Sequence, residues 1–323
     1  MTFLSILFAL LAEQLQPLRA TNPVYAAIKT FGMRMEGWFN AGQASHGRLA
    51  WLLTVAALMV PTLLVYWLCL RVSPFVAMLW NIAILYLTLG FRRYSHYFTA
   101  IQLALNAGDD VTARSLLATW TKTDTAALDV PDIARLAVEK ALITTHRNVF
   151  GVFFWFLMPL GPACAVMYRV AEYLAREWNA PDHMQNEAFG TFAVRAFYWL
   201  DWMPARLTAV AFAIVGNFED AIYAWRNFAS RWQDEAVGII LSAGSGAMGV
   251  RLGSAAHTAA DSALADAVGL DTPGIDVDGP IGEEATARAL QSTVGLVWRA
   301  LLLWMLLLLL LSLTVWLGRT PVV

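Results

Sequence analysis

Charged side chains that stand inside or beside apolar runs are the first candidates for chemistry. An ionisable group left unpaired in hydrocarbon is costly, so such residues mark either a site or a pair. Arg169 and Glu172 lie three residues apart, which places them on one helix face within reach of each other. Asp201 and Arg206 flank Pro204 beside the apolar stretch Leu207–Val215. Glu139 closes the segment Ile133–Glu139, whose apolar residues recur at helical spacing. Asp201, Pro204, Arg206, Glu139, Arg169 and Glu172 therefore form the candidate ligand-binding set. A structural ion pair, or an end residue snorkelling to an interface, is the competing reading for each charged member, and no residue is assigned as catalytic.

Other chemistries find little support. The five histidines, His46, His96, His146, His183 and His257, are scattered and form no metal-ligand spacing. Cys69 and Cys164 both sit in apolar runs and read as small buried hydrophobes, not as a disulfide or metal site. No metal or cofactor is expected. A serine nucleophile elbow, a phosphate-binding P-loop and a dinucleotide fingerprint are absent. Ala243-Gly-Ser-Gly-Ala-Met-Gly249 reads as a glycine-rich loop. It either cradles a phosphate or lets helices pack closely through small residues, and no Lys-Ser/Thr pair follows to favour the phosphate.

The elements that must position these residues are set by the solvent. Of 323 residues 59% are hydrophobic and 14% charged, against about 25% charged in ordinary soluble domains. Leu49–Leu70 and Pro74–Phe91 are two apolar runs without an ionisable acid or base, separated by Arg71, Val72 and Ser73. Runs near 20 residues match the hydrocarbon thickness of a bilayer. They predict a transmembrane hairpin over 49–91. Met1–Ala12 reads as an uncleaved N-terminal membrane helix and 14–48 as a loop. Its positive charge, with Arg92 and Arg93 after the hairpin, places that loop and the polar helices of 94–148 on the cytoplasmic side. Segment 149–167 is apolar but interrupted by Pro159-Leu-Gly-Pro162, Asn179-Ala-Pro181-Asp is a turn, and Phe189–Phe218 carries Pro204 in its middle. Acidic residues outnumber basic ones across 219–296, where Asp271–Gly282 reads as a loop, and 297–317 is a clear span. The expected fold class is all-α: a polytopic helical integral membrane protein with membrane-side cytoplasmic helices, built as one domain over 1–323. The lipid bilayer is one partner. The net charge of −2 gives no reason to expect nucleic acid.

Several stretches together resemble a known superfamily. Phe98-Thr-Ala-Ile-Gln102, Thr123-Asp-Thr-Ala-Ala-Leu-Asp129 and Ile133-Ala-Arg-Leu-Ala-Val-Glu139 resemble the CobD/CbiB family, which makes adenosylcobinamide phosphate during cobalamin synthesis. Asp201-Trp-Met-Pro-Ala-Arg-Leu207 is similar to that family's N-Y-x-P-A-R-L, and Asp234-Glu-Ala through Gly249-Val-Arg-Leu-Gly253 to its C-terminal segment. The acidic signature departs. Where the family carries E-x-x-x-E-N-x-x-D-G, this chain keeps Glu139 but places Ile143 and Arg147 at the second Glu and the Asp. The family's N-T-L-D becomes Glu172-Tyr-Leu-Ala175, and a D-D pair becomes Phe197-Tyr198. Carboxylates that would organise Mg²⁺ against phosphates are thus missing.

The sister family AmpE resembles the chain at these places. Leu174-Ala-Arg-Glu-Trp-Asn-Ala-Pro181-Asp-His183, Leu200-Asp-Trp-Met-Pro-Ala-Arg-Leu207 and Val215-Gly-Asn-Phe-Glu-Asp-Ala221 carry that likeness, while Ala243–Gly253 is closer to CobD. The resemblance implies an AmpE-like bacterial inner-membrane protein with a regulatory or envelope-sensing role and no ligase activity, acting on an unknown small-molecule or protein partner. The alternative is a divergent adenosylcobinamide-phosphate synthase. A transport-like role at the broken Pro159–Pro162 helix is a third reading.

Overall fold

The computed structural model describes residues 2–16, 22–40, 44–179, 187–232, 234–253 and 282–317. Among them there is no β-strand, and one isolated bridge joins Val250 and Glu283. The protein is all-α. The expected Asn179-Ala-Pro181-Asp turn beyond Asn179, the Asp271–Gly282 loop before Gly282, His183 and His257 lie outside the described residues.

The chain divides into two compact units that interleave in sequence. The first comprises Met1–Arg93, His146–Pro204 and Met305–Val323. Its helices are α1 (Thr2–Leu15), α2 (Pro23–Phe39), α3 (Ala44–Val72) and α4 (Pro74–Thr88). A π-helical turn (His146–Phe150), α8 (Gly151–Phe156) and α9 (Pro162–Glu177) follow, with the first part of α10 (Glu187–Val215). The second unit comprises Tyr94–Thr145 and Ala205–Trp304. It holds α5 (Phe91–Asn106, from Tyr94 on), α6 (Asp110–Thr121), α7 (Val130–Thr145), the rest of α10, α11 (Phe218–Phe228), α12 (Glu235–Met248) and the start of α13 (Ala287–Leu317).

In the first unit, α3 is apolar on every side and carries Pro61 inside it. Leu49, Leu52, Leu53, Leu64, Trp67 and Leu68 on it are exposed. Apolar surface on this scale is unfavourable against water and at no cost against lipid. α3 and α13 are the described helices long and apolar enough to cross a bilayer, over Ser45–Val72 and Ala287–Thr314. These spans, with the shorter apolar helices α1, α4 and α12, are consistent with an integral membrane protein. The hairpin forms, with Ser73 alone between its arms; its side chain accepts the Phe75 N–H and so caps α4. The second arm is shorter than its apolar run. α4 stops at Thr88 where Leu89 turns to extended backbone, and α5 begins at Phe91. Its 15 residues rise only about 22 Å, against roughly 30 Å of hydrocarbon.

Each of these helices buries one stripe. On α4 it is Ala77, Asn81, Ile84, Leu85 and Thr88; on α1 it is Ser5, Ile6, Ala9 and Glu13. The two stripes pack on one another, and α4 also meets α3 and α9. The stretch 14–48, read from sequence as a loop, contains the 17-residue α2. Asn22 accepts the Val24 N–H as its cap and Pro23 opens its first turn. Tyr25 ties α2 to α4 by donating to the Leu87 carbonyl at 2.6 Å, and Trp178 donates to Gly32.

The broken 149–167 segment breaks where its prolines predict. α8 ends at Phe156, and Gly161 at φ +53 precedes Pro162 at the start of α9. That left-handed backbone favours glycine.

In the second unit, acidic side chains cap the helix starts. Asp109 caps α6, and Asp129 accepts the Asp132 N–H at the start of α7. The supposed glycine-rich loop is a correction. Ala243–Met248 is the C-terminal half of α12, nearly all buried, and only Gly249 leaves the helix, with left-handed φ. Small residues serve packing here: α12 lies so close to α11 that a Cβ on Gly246 would stand 2.2 Å from the Asp220 carbonyl oxygen. Gly246→Ala should therefore cost about 1–3 kcal/mol, read as a lowered melting temperature of the detergent-solubilised protein.

Candidate functional site

The first unit carries four of the six sequence-derived candidates. On α10, Phe189, Ala193, Phe197, Asp201, Ala205 and Thr208 recur at helical spacing and are buried. Asp201 is thus drawn inside by the apolar stripe it belongs to, and must find partners there. It finds two. One carboxylate oxygen, Oδ1, accepts a hydrogen bond from the Tyr168 hydroxyl at 2.8 Å and lies 2.8 Å from His146 Nε2. Asp201 is 1% exposed, and both partners are fully buried. Three elements meet at this oxygen: the π-turn, α9 and α10. A glycine makes room for it, since a Cβ on Gly151 would lie 2.3 Å from the Tyr168 hydroxyl.

Burial pulls the Asp201 carboxyl up, but His146, the charge of Arg147 and the Tyr168 hydroxyl outweigh it and hold the group below its usual range. Burial, then the Asp201 charge, drives the Tyr168 phenol well above its usual value. Asp201 is accordingly ionised and Tyr168 a neutral donor.

A second cluster in this unit surrounds Glu172. Tyr168 and Glu172 share the buried face of α9, four residues apart. The expected Arg169–Glu172 pair forms, with Arg169 Nη1 3.3 Å from Glu172 Oε2. Arg176 Nη1 reaches the other oxygen at 2.9 Å. Burial raises the Glu172 carboxyl, yet Arg169, Arg176 and Arg147 together bring it below its usual range. Arg169 Nη1 also donates to the Arg147 carbonyl at 3.3 Å, and the Arg147 guanidinium lies 5.4 Å from the Phe197 ring centroid. Pro204 sits inside α10 and ends the His146–Pro204 segment of this unit.

The second unit holds Glu139 and Arg206, each in its own pair. Glu139 accepts the Gly253 N–H at 2.7 Å and faces Arg135 Nη1 at 3.5 Å; Arg135 is also bound by Asp132. Burial dominates over Arg135 and raises the Glu139 carboxyl. Arg206 Nη2 meets Glu235 Oε1 at 2.6 Å.

Each of these carboxylates already faces cations or N–H and O–H donors. Among the described residues no group of three or more His, Cys, Asp or Glu is placed to hold a metal ion. This donor set does not fit a protein-held divalent cation. What it can do is hold charge in fixed places: a neutral hydroxyl and an imidazole on one buried carboxylate, and guanidinium groups beside another.

His146, Tyr168 and Arg147 were missed as candidates from sequence. The sole local signal was that His146 and Arg147 occupy the altered end of the acidic signature. Asp201→Ala is expected to destabilise the protein by about 3–5 kcal/mol by stripping a buried pair. Because the folded Asp201 pKa lies below the unfolded value, its stabilisation is complete above about pH 5 and fades as pH falls below about 4. Melting temperatures of the detergent-solubilised protein from pH 7 to 3 should fall on the acid side. Asp201→Asn should flatten part of that slope.

Comparison with known proteins bears on the function. The family described as CobD/Cbib protein matches residues 6–273. A protein of Stutzerimonas stutzeri (strain A1501), named Cobalamin biosynthesis protein CobD, is 34% identical over 95% of this chain and 97% of its own. A Chromobacterium violaceum protein of the same name is 33% identical over 65% of this chain and 66% of its own. One from Desulfotalea psychrophila is 28% identical over 62% and 67%. No solved structure matches the chain. These matches overturn the AmpE-like regulatory expectation: the departures in the acidic signature had carried that reading, and likeness along most of the chain outweighs them. The chain belongs to the CobD/CbiB family.

Proposed function

We propose that this protein acts in cobalamin biosynthesis as an adenosylcobinamide-phosphate synthase, a multi-pass protein of the bacterial inner (plasma) membrane. The observation that carries the reading is the match, over 95% of this chain, to a relative named for cobalamin biosynthesis. The reaction is ATP-dependent amide formation: the amine of an amino-alcohol phosphate attacks a corrinoid carboxyl group activated by the nucleoside triphosphate, and the activated carboxyl oxygen departs with the phosphoryl group. Both reactants bring oxyanions, and the first unit offers guanidinium groups held beside a buried, hydrogen-bonded hub. Exposed apolar side chains along α3 and α13 support the membrane placement, so the bilayer and small-molecule substrates are the partners.

The test is complementation. A bacterial strain lacking its own CobD, grown where cobalamin is required and only its precursors are supplied, should grow when this chain is expressed. Failure to grow, with the protein present in the membrane fraction by immunoblot, overturns the reading.

A further inference from the structure

We infer that α2 is an interfacial helix: its outward face lies on the phospholipid surface, with Trp38 at the level of the headgroups and Arg34 on their phosphates. The inference rests on the membrane placement above and adds a lipid-binding surface outside the spans.

Composition is the first ground. A helix that faces water turns charged and polar side chains outward. The exposed residues of α2 depart from this: Lys29 and Arg34 are its exposed charges, both cations, and its one carboxylate, Glu36, is only partly exposed. Thr30, the one exposed hydroxyl, donates back to the Ala26 carbonyl at 2.9 Å. The rest of the outward face is apolar or small. Val24 and Met33 are exposed on it, and Trp38 is 72% exposed. Val24, Phe31 and Trp38 recur every seven residues, two turns of helix, and so share one edge.

Tethering is the second ground. The Tyr25 hydroxyl holds the first turn of α2 to the Leu87 carbonyl near the end of α4. The neighbouring Tyr86 hydroxyl holds the Gln16 carbonyl, just past the end of α1. At its other end α2 stops at Phe39, and α3 begins at Ala44, a stretch of chain that reaches at most about 18 Å. The bilayer-crossing span itself starts at Ser45. One end of α2 is thus held to the hairpin by a hydrogen bond and the other by the chain. The helix cannot roll either. Gly32 lies against α9, where a Cβ would stand 3.0 Å from the Tyr173 ring, and Trp178 donates to the Gly32 carbonyl. The face turned outward is therefore fixed beside the membrane segments, and its composition suits lipid.

Chemistry is the third. An indole has an apolar body and one N–H, and it favours the headgroup level. Arg34 stands four residues before Trp38, on the same face. It donates to no described residue, and a guanidinium pairs with phosphate oxygens through parallel N–H bonds.

The experiment uses the full-length chain with Cys69 and Cys164 replaced by Ala, in bilayers of phosphatidylcholine and phosphatidylglycerol. A fluorophore is attached at Gly37→Cys, where a Cβ meets no atom within 4 Å, and separately at Leu64→Cys on an exposed side of α3. The quenchers are a phospholipid carrying a nitroxide high in its acyl chain and aqueous iodide. The lipid nitroxide should quench the label at position 37 at least about twofold more than iodide does. Arg34→Glu should lower that lipid quenching about twofold, because it sets a carboxylate against phosphate; unchanged quenching removes Arg34 as the phosphate ligand. Iodide quenching at position 37 with lipid quenching at position 64 overturns the inference and leaves the membrane placement standing. Iodide quenching at both positions sinks the membrane placement as well. Protection from both quenchers, with disulfide-linked dimers of unlabelled Gly37→Cys, gives the face to a second copy and overturns the inference. If the cysteine replacements abolish a single melting transition, the unaltered chain serves instead. A phospholipid with a photoactivatable diazirine high in its acyl chain should then mark residues within 23–39, and marking of 44–72 alone overturns the inference.

Discussion

The buried Asp201 carboxylate is the constraint on which the first unit turns. It lies on a helix stripe that is otherwise apolar, so folding α10 against its neighbours carries the charge inside. An unpartnered carboxylate there would be strongly unfavourable. The Tyr168 hydroxyl and the His146 imidazole meet it on a single oxygen. Each comes from a different element, so satisfying this one atom fixes the π-turn, α9 and α10 relative to one another. The apolar packing would tolerate small slips; the shared oxygen does not.

That demand propagates outward. The Tyr168 ring must pass where a side chain on residue 151 would stand, which is why Gly151 opens α8. Holding α9 by Tyr168 also sets the next turn, where Glu172 gathers Arg169 and Arg176. The guanidinium cluster is thus a consequence of the same buried face. A charge array fixed in advance costs little reorganisation when an ion arrives, which is the condition for electrostatic binding and stabilisation.

The second unit solves a similar problem differently. Its buried charge, Glu139, is met by a neighbouring arginine on its own helix and by one backbone N–H. Burial outweighs these partners, and the carboxyl is raised. At Asp201 and Glu172 the surrounding charges and hydrogen bonds win instead. The contrast reflects the number of opposing charges: Glu139 faces Arg135, while Glu172 faces three guanidinium groups.

By itself the sequence determined the features that arise from local period and from solvent. Run length and the near absence of charge marked α3 and α13, helical spacing marked the stripes, and Pro159–Pro162 marked where a helix breaks. Pro23 after Asn22 was a legible start signal for α2, but without a long apolar run the stretch read as loop. Ala243–Gly249 misled because glycine frequency signals loops only where backbone freedom is used; buried beneath α11, the same residues serve close approach. The tertiary structure alone decided the site. His146 lies 55 residues from Asp201 and Tyr168 lies 33 away, and no local pattern encodes which distant donor will meet a buried carboxylate. Asp201, Arg169 and Glu172 were legible as charges out of place. The Arg169–Glu172 pair was legible from its spacing; the partners of Asp201 were not, because pairing across the chain is set by which helix faces pack together.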